Sequence, residues 1–173
     1  HGTDRGLVAG LLGMRPDDER IPDSFEIARK MSLSYSFGIA NLTSAHPNSV
    51  VLEVKGKSGR TLEVQACSLG GGRIMINRLD GLDVNCSCEI PTLIVHNLDQ
   101  PGHVAEVTSM LAHKSVNIAN MSLYRDKRGG SAVMVVEMDQ PLPKESLEWL
   151  EHLEGIVKVT YINVTEGEED DVL

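Results

Sequence analysis

The sequence predicts an α+β protein made of two successive domains, an N-terminal α/β domain and a C-terminal split βαββαβ sandwich. Two observations carry this expectation. Residues 92–164 alternate strand-length apolar runs with helical patterns in one complete βαββαβ order, and the residues before them open with helical periodicity and then change to period-two alternation. Glu89-Ile90-Pro91 separates the two as a linker.

His1-Gly2-Thr3-Asp4 precedes an apolar segment in which Leu7, Val8, Leu11 and Leu12 share one side. Thr3 suits an N-cap, and Asp4 suits the positive end of a helix. Gly6 and Gly10 cost the helix about 1 kcal/mol each relative to Ala, so another element is expected to pack closely there. Arg15-Pro16-Asp17-Asp18-Glu19-Arg20 is a charged linker, and Pro22-Asp23 opens a short helix through Phe25, Ile27, Ala28 and Lys30.

Strand signals follow. Residues 33–37 alternate; Val50, Val51, Leu52 and Val54 form an apolar run; and Gly56-Lys57-Ser58-Gly59 turns it into Thr61, Leu62, Val64 and Ala66. Residues 73–79 and 82–88 make a further pair joined at Asp80-Gly81.

Past the linker, residues 92–97 read as a strand closed by Asp99-Gln100-Pro101-Gly102, and Val104, Val107, Met110 and Leu111 give a helix. Residues 115–125 and 131–138 are two strands joined through Asp126-Lys127-Arg128-Gly129-Gly130. Pro141 and Pro143 open a helix carrying Leu147, Leu150 and Leu153; Gly155 ends it, and residues 157–164 are the last strand. Right-handed crossovers place both helices on one face of an antiparallel sheet and leave the other face bare. The expected domains are residues 1–90 and 91–165, with an acidic, solvated tail at 166–173.

At 173 residues with 41% apolar composition the chain can build two small cores. Its net charge of −9 speaks against nucleic acid or an anionic membrane as partner. No apolar stretch has spanning length and no signal peptide is visible, so a cytoplasmic setting is expected, with further residues expected ahead of His1. Three cysteines are too few for a disulfide framework or a four-ligand cluster, and Cys86 and Cys88 are expected on one strand face as small core residues.

Three groups invite a functional reading. Gly70-Gly71-Gly72 lets backbone N–H groups approach a ligand, with Arg73 favouring an anion, or else forms a bulge or sharp bend. His46 and Asn48 stand in a turn, where they bind a carboxylate or phosphate or simply order the loop. His1 precedes a helix N-terminus, where free donors can face a ligand.

The turn Asp99-Gln100-Pro101-Gly102, with Ser115-Val116-Asn117-Ile118 opening the next strand, makes residues 91–165 resemble an ACT domain, a ferredoxin-like regulatory module that binds amino acids and pairs with a second copy. His1-Gly2-Thr3-Asp4-Arg5, Leu7-Val8-Ala9-Gly10-Leu11-Leu12, Asp18-Glu19-Arg20, His46-Pro47-Asn48 and Gly70-Gly71-Gly72, in that order, resemble the β chain of the bacterial iron–sulfur L-serine dehydratase. Its first domain is similar to the allosteric substrate-binding domain of some D-3-phosphoglycerate dehydrogenases, whose amino-acid-sensing region is the alternative reading.

The resemblance implies conversion of L-serine to pyruvate and ammonia with a [4Fe-4S] cluster as Lewis acid. The ligands are expected on a partner α subunit or domain, with no metal held by this chain. It also implies that His1 supports catalysis at the α–β interface, while His46, Asn48, Gly70, Gly71, Gly72 and Arg73 stand as anion- or substrate-binding candidates from their residue types and positions. Asp99, Gly102 and Asn117 are the implied effector contacts for L-serine or another small amino acid, with Asp99 where the serine-binding pattern has Asn. A homodimer through residues 92–164 is expected from the bare sheet face, and a Ser-Ser-Ser-His-Thr segment expected upstream is not in the sequence.

Overall fold

The computed structural model describes residues 2–43 and 45–163, and the chain clusters into two compact units divided between residues 43 and 44. The acidic tail and His1 lie outside the described residues.

The first unit is helical. Helix α1 spans Thr3–Leu11, a 3-10 turn covers Ile21–Asp23, and α2 spans Ser24–Lys30. Gly2, not Thr3, is the N-cap of α1, in left-handed conformation at φ 81°, and its carbonyl accepts the Gly6 N–H at 3.0 Å. Val8 and Ala9 are buried on α1 and Ala28 on α2, and the buried Ser24 hydroxyl donates to the Arg5 carbonyl at 3.1 Å. The close approach expected at Gly6 and Gly10 is not met: a Cβ on either would touch nothing within 4 Å among the described residues.

Residues 33–37, expected as a strand, form none. Tyr35 and Phe37 instead pack on Phe25 of α2, with ring centroids 5.4 and 6.4 Å away. No strand pairs with them among the described residues, and period-two patterning cannot by itself supply a ladder.

The second unit contains two four-stranded antiparallel sheets. Strands β1 (Ser49–Lys55), β2 (Thr61–Gly70), β3 (Arg73–Leu79) and β4 (Leu82–Cys86) form a meander in chain order. Strand β5 (Thr92–Leu98), helix α3 (His103–His113), β6 (Ile118–Arg125), β7 (Ser131–Met138), α4 (Lys144–Glu151) and β8 (Ile156–Ile162) give the expected βαββαβ order, with sheet order β6-β7-β5-β8.

Both helices cover one face of this second sheet. Leu93, Val95, Met134, Val136 and Met138 pack there against Val107, Met110, Leu111, Leu142 and Leu150. The opposite face is not bare, which corrects the expectation. Ile94, Val133 and Val135 meet Ile76, Leu79, Val84 and Cys86 of the first sheet, with Cys88 just past its last strand, in a second core. The cause is visible in the sequence: Leu93-Ile94-Val95 and Val133-Met134-Val135-Val136 run without alternation and are at most 1% exposed, the mark of strands buried on both sides.

Cys86 ends β4, and Cys88 sits beyond it at φ 57°, so the two do not share a strand face as expected. Both nevertheless enter the second core with sulfurs 3.4 Å apart, and the Cys88 thiol hydrogen-bonded to Cys86 draws the Cys86 pKa down.

Candidate functional site

One end of the first sheet gathers the anion-binding candidates. Ser49 pairs with Cys67, and the Ser68 N–H donates to the Asn48 carbonyl at 2.9 Å, which sets the His46-Pro47-Asn48 turn beside the end of β2. Gly70 pairs with Arg73, leaving Gly71-Gly72 as a two-residue hairpin turn with a register shift just before it. All three glycines have positive φ, 86°, 63° and 78°, and positive φ at both central positions is what such a turn needs. A Cβ at any of the three would meet only open space, so backbone angle rather than crowding selects glycine.

The donors at this tip are uncommitted. Among the described residues the Gly71 and Gly72 N–H groups have no hydrogen-bond partner and the Arg73 guanidinium has neither a hydrogen bond nor an ion pair. His46 Nδ1 accepts the Asn48 N–H at 3.2 Å, which puts the neutral ring's proton on Nε2, and the Ser49 hydroxyl donates to the His46 carbonyl at 2.6 Å. One side of His46 therefore orders its loop while the other stays available as a donor. The arrangement can bind a carboxylate.

The effector candidates are arranged differently. Asp99 Oδ2 accepts the Gly129 N–H at 2.9 Å and an Arg125 Nη1 bond at 3.1 Å, holding its carboxyl below the usual range, chiefly through the Gly129 bond. Gly102, at φ 110°, caps α3 and accepts the Glu106 N–H at 2.9 Å. Asn117 donates through Nδ2 to Asp139 at 2.6 Å, and its N–H donates to the Gln140 side chain at 2.7 Å. Leu98 pairs with Ser131, whereas Ile118 pairs with Met138, so Asp99 and Asn117 lie at opposite ends of one sheet. At 3.3 Å per residue along β7 that is roughly 20 Å, too far for one small ligand in a single chain.

Sequence reasoning missed a polar cluster between the sheets. Lys158 Nζ donates to Asp80 Oδ2 at 2.6 Å and to the Thr61 carbonyl at 2.7 Å, and His96 Nε2 lies 3.7 Å from the same Asp80 oxygen without a hydrogen bond. Burial lowers the His96 pKa, partly opposed by the Asp80 charge. Burial would raise the Asp80 pKa, but the Lys158 bond and the Glu63 N–H outweigh it and leave it lowered. A cavity of about 590 Å³ adjoins the cluster, lined by Arg60, Thr61, Asp80, Glu151 and Lys158. A histidine inside the apolar run of β5 was the available signal.

Among the described residues no group of three or more His, Cys, Asp or Glu side chains is placed to hold a metal. Cys86 and Cys88 are buried against each other, so the donors present do not fit an iron–sulfur cluster. No described helix is long and apolar enough to cross a membrane.

Residues 91–154 match the ACT domain model, which with the βαββαβ order makes this an ACT-domain protein. The chain is 33% identical over 165 residues, 95% of its own length and 74% of the other's, to the "L-serine dehydratase, beta chain" of Peptoniphilus asaccharolyticus. It is 33% identical over 162 residues to the "Probable L-serine dehydratase, beta chain" of Bacillus subtilis (strain 168), covering 94% and 73% of the two chains. It is also similar to the D-3-phosphoglycerate dehydrogenase of the same strain, at 24% identity over 162 residues, but spans only 30% of that enzyme and 92% of itself. The chain belongs to the L-serine dehydratase β-chain family.

Proposed function

We propose that this chain is the β part of an L-serine ammonia-lyase holoenzyme that converts L-serine to pyruvate and ammonia. The observation that carries the reading is the 33% identity sustained over 95% of the chain, which takes in the helical unit and both sheets. The dehydrogenase alternative rests on a match to less than a third of that enzyme. The domains are read as 1–90, substrate-binding, and 91–165, regulatory, in a cytoplasmic protein.

In this reading the glycine tip receives the serine carboxylate. Among the described residues the Gly71 and Gly72 N–H groups and the Arg73 guanidinium are unshared donors, and an ionised donor bound to a carboxylate is stronger than a neutral one. His46 adds an Nε2 donor, and Asn48 fixes its ring. His1 supplies an acid–base or hydrogen-bonding group at the interface with the α part, since its ordinary pKa is near neutrality. A [4Fe-4S] cluster would supply Lewis-acid chemistry from the α part, and the described residues of this chain offer no donor set that fits it. A small amino acid, L-serine among the candidates, acts at Asp99, Gly102 and Asn117. Their separation fits a site shared by two copies in a homodimer.

The isolated chain is expected to show no serine turnover. Anaerobic reconstitution with a cluster-bearing α partner should restore pyruvate formation. Turnover by the chain alone without iron, or its absence from a fully assembled, cluster-loaded complex, would overturn the reading.

A further inference from the structure

We propose that Cys86 and Cys88 are a redox site: a hydroperoxide oxidises the pair to an intramolecular disulfide, which a dithiol reductant reopens. Their sulfurs lie 3.4 Å apart in the buried second core. That closeness is not a by-product of strand geometry, because β4 ends at Cys86 and Cys88 stands beyond it at φ 57°. A cysteine in the left-handed region is uncommon, and here the bend returns its sulfur to Cys86. A disulfide holds its sulfurs at about 2.05 Å, so closure asks for an approach of little more than about 1 Å. Cys67, the third cysteine, makes no hydrogen bond through its sulfur among the described residues.

The two thiols are not equivalent. The Cys88 thiol hydrogen-bonded to Cys86 holds the Cys86 pKa below the ordinary thiol value, with the Cys88 N–H as a further donor, against burial and the Glu137 carboxylate. Cys86 is therefore the attacking thiolate and Cys88 the resolving thiol, the arrangement of a cysteine pair that senses oxidants. Access comes from the segment that carries Cys88. Among the described residues, 87–90 make no backbone–backbone hydrogen bond. The Ser87 hydroxyl makes two long bonds of 3.4 Å, to Glu137 and from the Glu89 N–H, and the Thr92 hydroxyl holds the Ile90 carbonyl at 2.8 Å. A stretch so lightly tied opens locally without unfolding the sheets on either side of it.

The reaction balances with hydrogen peroxide as the oxidant. The Cys86 thiolate attacks one peroxide oxygen; the O–O bond breaks, hydroxide leaves and takes up a proton as water, and Cys86 becomes a sulfenic acid. Cys88 gives up its proton and attacks the Cys86 sulfur; the S–O bond breaks, the S–S bond forms, and hydroxide leaves with that proton as a second water. Two thiols lose two electrons, and one peroxide is reduced to two waters. The nearby Cys88 captures the sulfenic acid before a second peroxide can oxidise it further.

The test treats the reduced, folded full-length chain with hydrogen peroxide. Thiols counted in denaturant should fall from three to one, the peptide carrying Cys86 and Cys88 should lose two hydrogens, and dithiothreitol should restore both readings. Cys88→Ser should stop at a sulfenic acid that dimedone traps, and Cys86→Ser should slow oxidation at least about tenfold. A count that stays at three in excess peroxide would overturn the site. So would a disulfide that joins two chains or includes Cys67, oxidation of Cys86 past the sulfenic acid with Cys88 left free, or a parental rate in Cys86→Ser. The thiol count and peptide mass of the parent decide the matter even where a buried serine prevents a variant from folding.

Discussion

The glycine tip of the first sheet and the Asp99-Gln100-Pro101-Gly102 turn of the second make opposite use of their polar groups. At the tip, Gly71 and Gly72 have unshared N–H groups beside an Arg73 that has no ion pair among the described residues. At the turn, Asp99 is committed to Gly129 and Arg125, and its own N–H donates to Gly130. The first arrangement is open to an anion without rearrangement. The second closes the β6–β7 hairpin onto the end of β5, so a ligand there must displace a bond or add to a surface already satisfied. Catalytic substrate is thus expected at the tip, and a slower, regulatory response at the turn.

Removing the tip's charge should give the largest effect. Arg73→Ala in the reconstituted enzyme is expected to lower kcat/KM for L-serine by about 10²-fold, mainly through KM, the scale of losing a charge-assisted bond of about 2–3 kcal/mol. Arg73 is exposed, so the thermal midpoint should not move. Steady-state kinetics beside a melting curve decide it, and parental kinetics would reduce the tip to a hairpin turn.

The turn geometry gives a smaller effect. Gly71 stands at φ 63° with open space around it, so Gly71→Ala is expected to lower stability by about 1–2 kcal/mol through backbone strain alone. Gly71→Asn should recover part of that, because Asn visits the left-handed region more readily. Denaturant melts of both variants test this; equal losses would mean that strain is not what selects glycine.

How much of this was legible in the sequence follows from what each feature depends on. Among the described residues the strands and helices rest on local periodicity and turn residues, and their order could be read directly apart from the strand expected at 33–37. The partner of a strand is not local: residues 33–37 carry the alternation but have no ladder, while the unalternating Leu93-Ile94-Val95 announced a second covered face that the split βαβ pattern alone leaves open. His46 and Gly70 were separate candidates until the Ser49–Cys67 register set them side by side. The Asp80–Lys158 bond spans 78 positions, a distance no motif bridges. The Gly2 cap was missed because a glycine in left-handed conformation competes with Thr3 for the same position.

That long-range cluster links the two regions compared above, and it yields the smallest expected effect. His96, 9% exposed, faces Asp80 of the β3–β4 turn from the strand that ends beside Asp99. Lys158 and Arg60 are the neighbouring cations, and both oppose its protonation. Because burial depresses the folded-state pKa below the ordinary 6.5, the unfolded chain binds the proton more readily than the folded one. Stability contributed by neutral His96 is therefore full above pH 6.5 and is lost as the pH falls through that value towards the depressed one. Asp80, lowered by its Lys158 bond, stays ionised across this window and limits the loss. Thermal midpoints measured from pH 7.5 to 5 should decline in the parent and decline less in His96→Gln, which keeps a polar group but cannot titrate. Parallel declines in the two proteins would show that the inter-sheet histidine does not set this acid limb.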